Sequence, residues 1–206
     1  MKENNNEIDV FWNKVAPARK ILKEVHWWIS QYNDILDKDT CKMLIDYDWD
    51  WQPSTFSNNK GTAEKSEERV LMDQVWCVEK DEPYSILKKS VIKVMNMYAK
   101  EHKRFSCIHH TDFRINKYGV DGFMSKHCDN IHHSHGQKYG YPQATVLFFL
   151  NNEEYEGGEL VIGEDEKIKY KPLTGSVFVF PSSFMFPHEV KKVTKGERVS
   201  IVSWLM

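Results

Sequence analysis

Residues 122–129 read Gly122-Phe123-Met124-Ser125-Lys126-His127-Cys128-Asp129, and the rest of the chain is organised around the last three. In an extended strand side chains alternate faces, so His127 and Asp129 project together as an imidazole and a carboxylate while Cys128 faces away. Two donors do not define a metal site. A third comes from Phe186-Pro187-His188-Glu189-Val190, with Gly196-Glu197-Arg198-Val199-Ser200 just beyond it. Two histidines and one carboxylate on one face of an ion, with the other positions open, suit non-haem Fe(II).

Outward from this stretch, the chain divides by pattern. From Ser106 onward short strands alternate with turns, at about 107–117, 122–128, 144–150, 158–162, 168–172, 176–180, 187–193 and 198–205. Before it, Val25–Ile29 reads as a strand and Asp37–Ile45 as a helix with Asp37 as N-cap. Residues 69–79 read as one strand. Pro83 opens a helix whose stripe is Ile86, Leu87, Val91, Val94, Met95 and Tyr98. Residues 1–8 read as disordered, and 9–23 as a short helix broken by Pro17. The expected fold is mostly β with α: a double-stranded β-helix (jelly roll) buttressed by N-terminal helices. One domain is expected over 1–206, with 1–24 an extension, 25–105 a helix-rich support and 106–206 the jelly-roll core.

A net charge of −2 supplies no basic field, which argues against a nucleic-acid partner. The Lys191, Lys192, Lys195 and Arg198 group reads as solvated charges plus one inward arginine. No apolar run is long enough for a membrane span, and the polar N-terminus lacks a signal peptide's apolar core. Cys41, Cys77, Cys107 and Cys128 have no CxxC spacing, so free thiols in a reducing cytoplasm are expected. The run Ile131-His132-His133-Ser134-His135 lacks paired cysteines and reads as a glycine-hinged entrance loop in preference to a structural zinc site. Residues 131–142, and 53–67 with their Ser, Asn, Lys and Gly, are expected to be mobile loops.

The ordered set resembles the 2-oxoglutarate- and Fe(II)-dependent dioxygenases, and among them the prolyl 4-hydroxylase branch. It comprises Tyr118, the HxD of His127 and Asp129, Thr145–Asn151, Tyr155–Leu160, Gly175–Pro181, His188 about sixty residues after the HxD, Arg198, Ser200 and Trp204. The likeness covers roughly 107–206 well and the segment from about Val25 more loosely. It implies His127, Asp129 and His188 as Fe(II) ligands. It also implies Arg198, Ser200 and Tyr118 as partners of the co-substrate 2-oxoglutarate, with ascorbate as a possible reductant. Arg198 suits the C5 carboxylate because a guanidinium pairs with it bidentately, and that charge would otherwise lie unpaired in a pocket. A turn around Val193–Gly196 is expected to pair the His188 and Arg198 strands. Phe149 stands where some animal prolyl hydroxylases have a tyrosine that contacts the C5 carboxylate, so either Ser200 or Tyr118 compensates or co-substrate binding is weaker.

The implied activity is hydroxylation of a carbon centre with release of succinate and carbon dioxide, most readily on a prolyl residue of a protein or peptide. The alternatives are the same chemistry on a free amino acid, small metabolite or nucleobase, and, from another class, a non-catalytic metal-binding jelly-roll module.

Overall fold

The computed structural model describes residues 27–57, 63–64, 68–130, 140–164 and 169–206. In chain order the elements before residue 106 are β1 (Ser30–Tyr32), α1 (Lys38–Asp46), β2 (Gln52–Pro53), β3 (Phe56–Ser57), β4 (Ala63–Glu64), β5 (Val70–Leu71), β6 (Asp73–Cys77) and α2 (Tyr84–Glu101). After it come β7 (Phe113–Tyr118), β8 (Phe123–His127), β9 (Ala144–Phe149), β10 (Glu156–Gly157) and β11 (Leu160–Ile162). The last five are β12 (Lys169–Tyr170), β13 (Val177–Pro181), β14 (His188–Val190), β15 (Val193–Lys195) and β16 (Arg198–Leu205).

Every pairing is antiparallel. A seven-stranded sheet runs β1-β13-β9-β16-β7-β6-β2, and a five-stranded sheet runs β12-β11-β14-β8-β5. The two pairs β10-β15 and β3-β4 complete the set. This is the mostly-β jelly roll the sequence led us to expect.

Alternation decides which side chains meet between the sheets. Along β9, Val146 and Phe148 join Leu87, Val91, Val94 and Tyr98 of α2 in one apolar cluster, with Cys41 and Leu44 of α1. Leu147 and Phe149 point the other way, into a cluster with Phe178, Phe180, Val202 and Trp204. The sheet is thus covered on both faces, which is why β9 and β16 are buried along their whole length. Burying each of the aliphatic α2 residues stabilises the fold by about 1.5–3 kcal/mol. Asp37 caps α1 as expected, accepting from Thr40 N at 2.7 Å. On α2, Ile86 of the expected stripe lies 36% exposed, at the edge of the buried face.

Three expectations are corrected. Residues 69–79 are not one strand: β5 belongs to the five-stranded sheet and β6 to the seven-stranded one, with buried Met72 between them. The strands carrying His188 and Arg198 do not pair, because β15 turns aside to pair with β10. The segment at 187–193 divides into β14 and the start of β15, while the one at 158–162 begins only at Leu160, past the left-handed Gly157 and Gly158. Residues 1–26 and 131–139 lie outside the described residues, so the broken helix at 9–23, the start of the Val25–Ile29 strand and the histidine run do too. Trp27 and Trp28 form a 3-10 turn, and the first strand is Ser30–Tyr32.

Candidate active site

β8 and β14 are neighbours, and their register places His127 directly opposite His188, with ring centroids 4.3 Å apart. Asp129 lies in the turn just past β8, not on the strand, yet shares the side of His127. Its Oδ1 is 3.6 Å from His127 Nε2 and its Oδ2 is 3.6 Å from His188 Nε2. The three donors all fall within 4.8 Å of one another.

Each ring is held in one orientation. His127 Nδ1 is 2.8 Å from the Ser125 carbonyl and His188 Nδ1 is 3.1 Å from the Phe186 carbonyl. A carbonyl only accepts, so Nδ1 carries a proton in both rings and Nε2 is the atom each turns toward Asp129. Burial, with His127 alongside, pushes His188 down to about 4, so it is neutral near pH 7. Burial alone would raise the Asp129 carboxyl, but the positive charge that His188 and His127 carry when protonated, with the Thr145 hydroxyl bond, holds it well below the usual carboxylate range. Two imidazole lone pairs and a carboxylate thus converge in a buried spot. Such acceptors repel one another unless a cation lies between them, and the set of two histidines and one carboxylate is the one that suits Fe(II).

Thr145 was quoted only as part of a strand motif, and the structure gives it a position in the site. From β9 its Oγ1 donates to Asp129 Oδ2 at 2.5 Å and lies 2.8 Å from Ser182 Oγ. It ties the turn of one sheet to a strand of the other.

The donors open into a narrow pocket between the sheets, whose far wall carries Tyr118, Arg198 and Ser200. Arg198 is 1% exposed. Its Nη1 donates to Ser200 Oγ at 2.8 Å, while Nε and Nη2 have no partner among the described residues. The guanidinium lies 4.9 Å from the Tyr118 ring centroid and 5.6 Å from that of Phe149. Tyr118 sits opposite Arg198 across β7 and β16, its hydroxyl 4.0 Å from Met124 Sδ. Burial raises its phenol pKa, so it remains a donor. The structure therefore brings all six sequence-derived residues into one pocket.

Four more residues lie at or just behind this wall: Tyr155 and Gly158 were quoted only within a motif, Asn116 and Arg114 not at all. Buried Tyr155 lies beside Arg198. At Gly158, φ is +63°, and a Cβ there would come within 3.0 Å of Arg198 Cδ and of the Tyr155 ring. Among the described residues, the buried Oδ1 of Asn116 and the Nε of Arg114 have no partner. A polar side chain at every second position of β7 (Arg114, Asn116, Tyr118) was the available signal.

A sequence profile of the 2OG-Fe(II) oxygenase superfamily matches residues 113–206. A PKHD-type hydroxylase of Crocosphaera subtropica is 33% identical over 98 residues, covering 47% of this chain and 43% of that protein. A PKHD-type hydroxylase of Prochlorococcus marinus is 29% identical over 164 residues, covering 79% of this chain and 68% of that protein. The chain spans less than half the length of the first of these relatives. Among solved structures, the viral collagen prolyl hydroxylase of Paramecium Bursaria Chlorella virus-1 superposes with a TM-score of 0.63 at 18% identity, covering 86% of this chain and 95% of that one. A Trichoplax adhaerens prolyl hydroxylase, in complex with a hypoxia inducible factor peptide fragment, gives 0.64 at 14% identity, covering 100% and 94%. These likenesses concern the fold. Residues 113–206 thus resemble the 2OG-Fe(II) oxygenase superfamily in sequence, on a fold like that of the prolyl hydroxylases.

Proposed function

We propose that the protein is an Fe(II)- and 2-oxoglutarate-dependent dioxygenase that hydroxylates a carbon centre, with a prolyl residue of a protein or peptide as first-choice substrate. His127, Asp129 and His188 hold the ion in this reading. Arg198 takes the far carboxylate of 2-oxoglutarate, with Ser200 and Tyr118 beside it. The observation that carries the reading is the convergence of three mutually repelling acceptors in the same pocket as a buried guanidinium with two unpartnered nitrogens.

When bound, the ion and 2-oxoglutarate supply the oxidising chemistry, with succinate and carbon dioxide as co-products. The chain's own residues supply position. Carbonyl-fixed imidazoles keep Nε2 turned inward, and Thr145 fixes the carboxylate that faces them. Ser200 orients the guanidinium so that Nε and Nη2 remain for a carboxylate. Ser200 Oγ accepts from Arg198 and keeps its own proton to donate, and Tyr118, opposite Arg198 across the ladder, offers its hydroxyl as a second donor in place of its long contact to Met124 Sδ. These two make up for the hydroxyl that Phe149 lacks. Apolar Leu147, Leu160, Phe180 and Val202 keep water from the rest of the pocket.

A peptide substrate is supported by the prolyl hydroxylase neighbours, one of which is bound to a peptide. Exposed Phe184 and Met185, between the metal-binding turn and His188, and half-exposed Trp76, 6.2 Å from Trp204, offer apolar surface to such a chain. Ascorbate enters only by resemblance. The unpaired cysteines fit a cytoplasmic setting, and among the described residues no helix is long and apolar enough to cross a membrane. The test is succinate release with Fe(II), 2-oxoglutarate and dioxygen, in the presence of prolyl peptides or free amino acids. Release stimulated by prolyl peptides supports the reading; release stimulated only by other compounds overturns the prolyl assignment.

A further inference from the structure

The pocket holds a second arginine that the reading above does not use. Arg114 stands on the same face of β7 as Asn116 and Tyr118, in register with Val202 of β16. Val202 is four residues beyond Arg198, so the two arginines enter about 13 Å apart along the strands. Arg114 therefore lies at the level of the metal donors, and it lines the pocket with them. Its guanidinium sits 5.1 Å from the Trp204 ring centroid, which fixes its plane. It is partly buried, its Nε has no partner, and no carboxylate forms an ion pair with it among the described residues. Asp129 is the one acidic side chain of the pocket lining, where Thr145 donates to one of its oxygens and His127 and His188 face it at 3.6 Å.

Charge decides what Arg114 is for. If the pocket holds a divalent ion and the 2-oxoglutarate dianion, then Asp129 and one carboxylate of the co-substrate offset the ion. The other co-substrate carboxylate offsets Arg198. One positive charge is left over beside the metal donors, and it is that of Arg114. A buried cation without a counter-charge is costly, so the molecule completing the site brings an anion.

We propose that Arg114 is a specificity-determining residue that binds a carboxylate of the substrate. The reacting residue is then one with a free α-carboxylate, a free amino acid or the C-terminal residue of a peptide, in place of a residue inside a chain. This rests on the dioxygenase reading and narrows its substrate class.

The test is calorimetric titration of the full chain loaded with Mn(II) and 2-oxoglutarate. Two probe sets separate the sources of the carboxylate: the common L-amino acids with their carboxamides, and L-alanyl-L-proline with its amide. At least one acid is expected to bind roughly tenfold or more tighter than its amide, the loss expected for one charged hydrogen bond. Arg114→Gln is expected to abolish that preference while 2-oxoglutarate affinity stays within about threefold. Arg114→Lys, which keeps the charge and loses the fork, should retain the preference with weaker binding. The inference is overturned if no acid binds or if acids and amides bind alike. It is also overturned if Arg114→Gln weakens 2-oxoglutarate binding about tenfold or more, which would make Arg114 a co-substrate residue. If the parent protein fails to bind 2-oxoglutarate at all, the dioxygenase reading falls first and takes this inference with it.

Discussion

Arg198 and Ser200 share one face of β16, and the 2.8 Å bond from Arg198 Nη1 to Ser200 Oγ leaves the other guanidinium nitrogens of a fully buried arginine unpartnered. Arg198→Ala should leave metal binding largely intact while weakening 2-oxoglutarate by roughly two to four powers of ten. That corresponds to the about 3–5 kcal/mol lost when one partner of a buried charge pair is removed. Arg198→Lys should fall between, keeping the charge without the planar fork. Calorimetric titration of 2-oxoglutarate checks both, and parent-like binding by Arg198→Ala would move the co-substrate pocket elsewhere.

Thr145→Val preserves shape and removes the hydroxyl that donates to Asp129. Metal affinity should fall by about 10–100-fold, as for other partners that orient a ligand. Competition against a chelator of known affinity reads this, and unchanged affinity would show the bond to be dispensable.

Gly158→Ala introduces a Cβ against Arg198 Cδ at a left-handed backbone position. We expect about tenfold weaker 2-oxoglutarate binding, from a displaced arginine and roughly 1–3 kcal/mol of strain, with little change in metal affinity. Equal losses for both ligands would point to general unfolding instead, and circular dichroism would reveal it.

Acid should destabilise the metal-free protein. His188 titrates near 6.5 when unfolded and near 4 in the fold, so between those values the unfolded chain holds a proton that the folded chain refuses. Stability therefore falls as pH drops through that window. Asp129, whose carboxyl is held low in the fold, adds a loss of the same sign below the ordinary carboxylate range. Urea midpoints measured from about pH 7 down to about pH 4 should decline, and His188→Gln should flatten the upper part of the curve. A flat profile in the parent would contradict the burial of a neutral imidazole.

Burial pushes the Cys41 and Cys77 thiols up to about 12, and both are fully enclosed. A water-soluble thiol reagent should leave them unmodified in the native protein and reach the half-exposed Cys128 and Cys107 first. Mass spectrometry of labelled peptides decides the order.

The metal donors were legible because their signal is local: a two-residue spacing, a distant histidine and an arginine at fixed offsets. The jelly roll was legible from strands punctuated by glycine turns. What escaped was set by contacts between sheets. Nothing in residues 69–79 marks Met72 as the point where the chain leaves one sheet for the other, because both halves are apolar and extended. The pairing of β15 with β10 depends on Gly157, whose Cβ would lie 2.3 Å from the Lys192 carbonyl, a proximity that no spacing encodes. Thr145 sits on an apolar strand, and only the packing of β9 over the turn that holds Asp129 gives it a partner, while Arg114 is brought into the pocket by the face it shares with Asn116 and Tyr118.

The central claim is that His127, Asp129 and His188 form a metal centre that recruits 2-oxoglutarate. It is tested most directly by titrating 2-oxoglutarate into the full chain with and without Mn(II), beside His127→Ala and Asp129→Ala. The account predicts saturable, metal-dependent binding in the parent that is lost in both variants, each lacking one of three protein ligands. Binding that is absent in the parent, or equally strong without metal and in the variants, would contradict it.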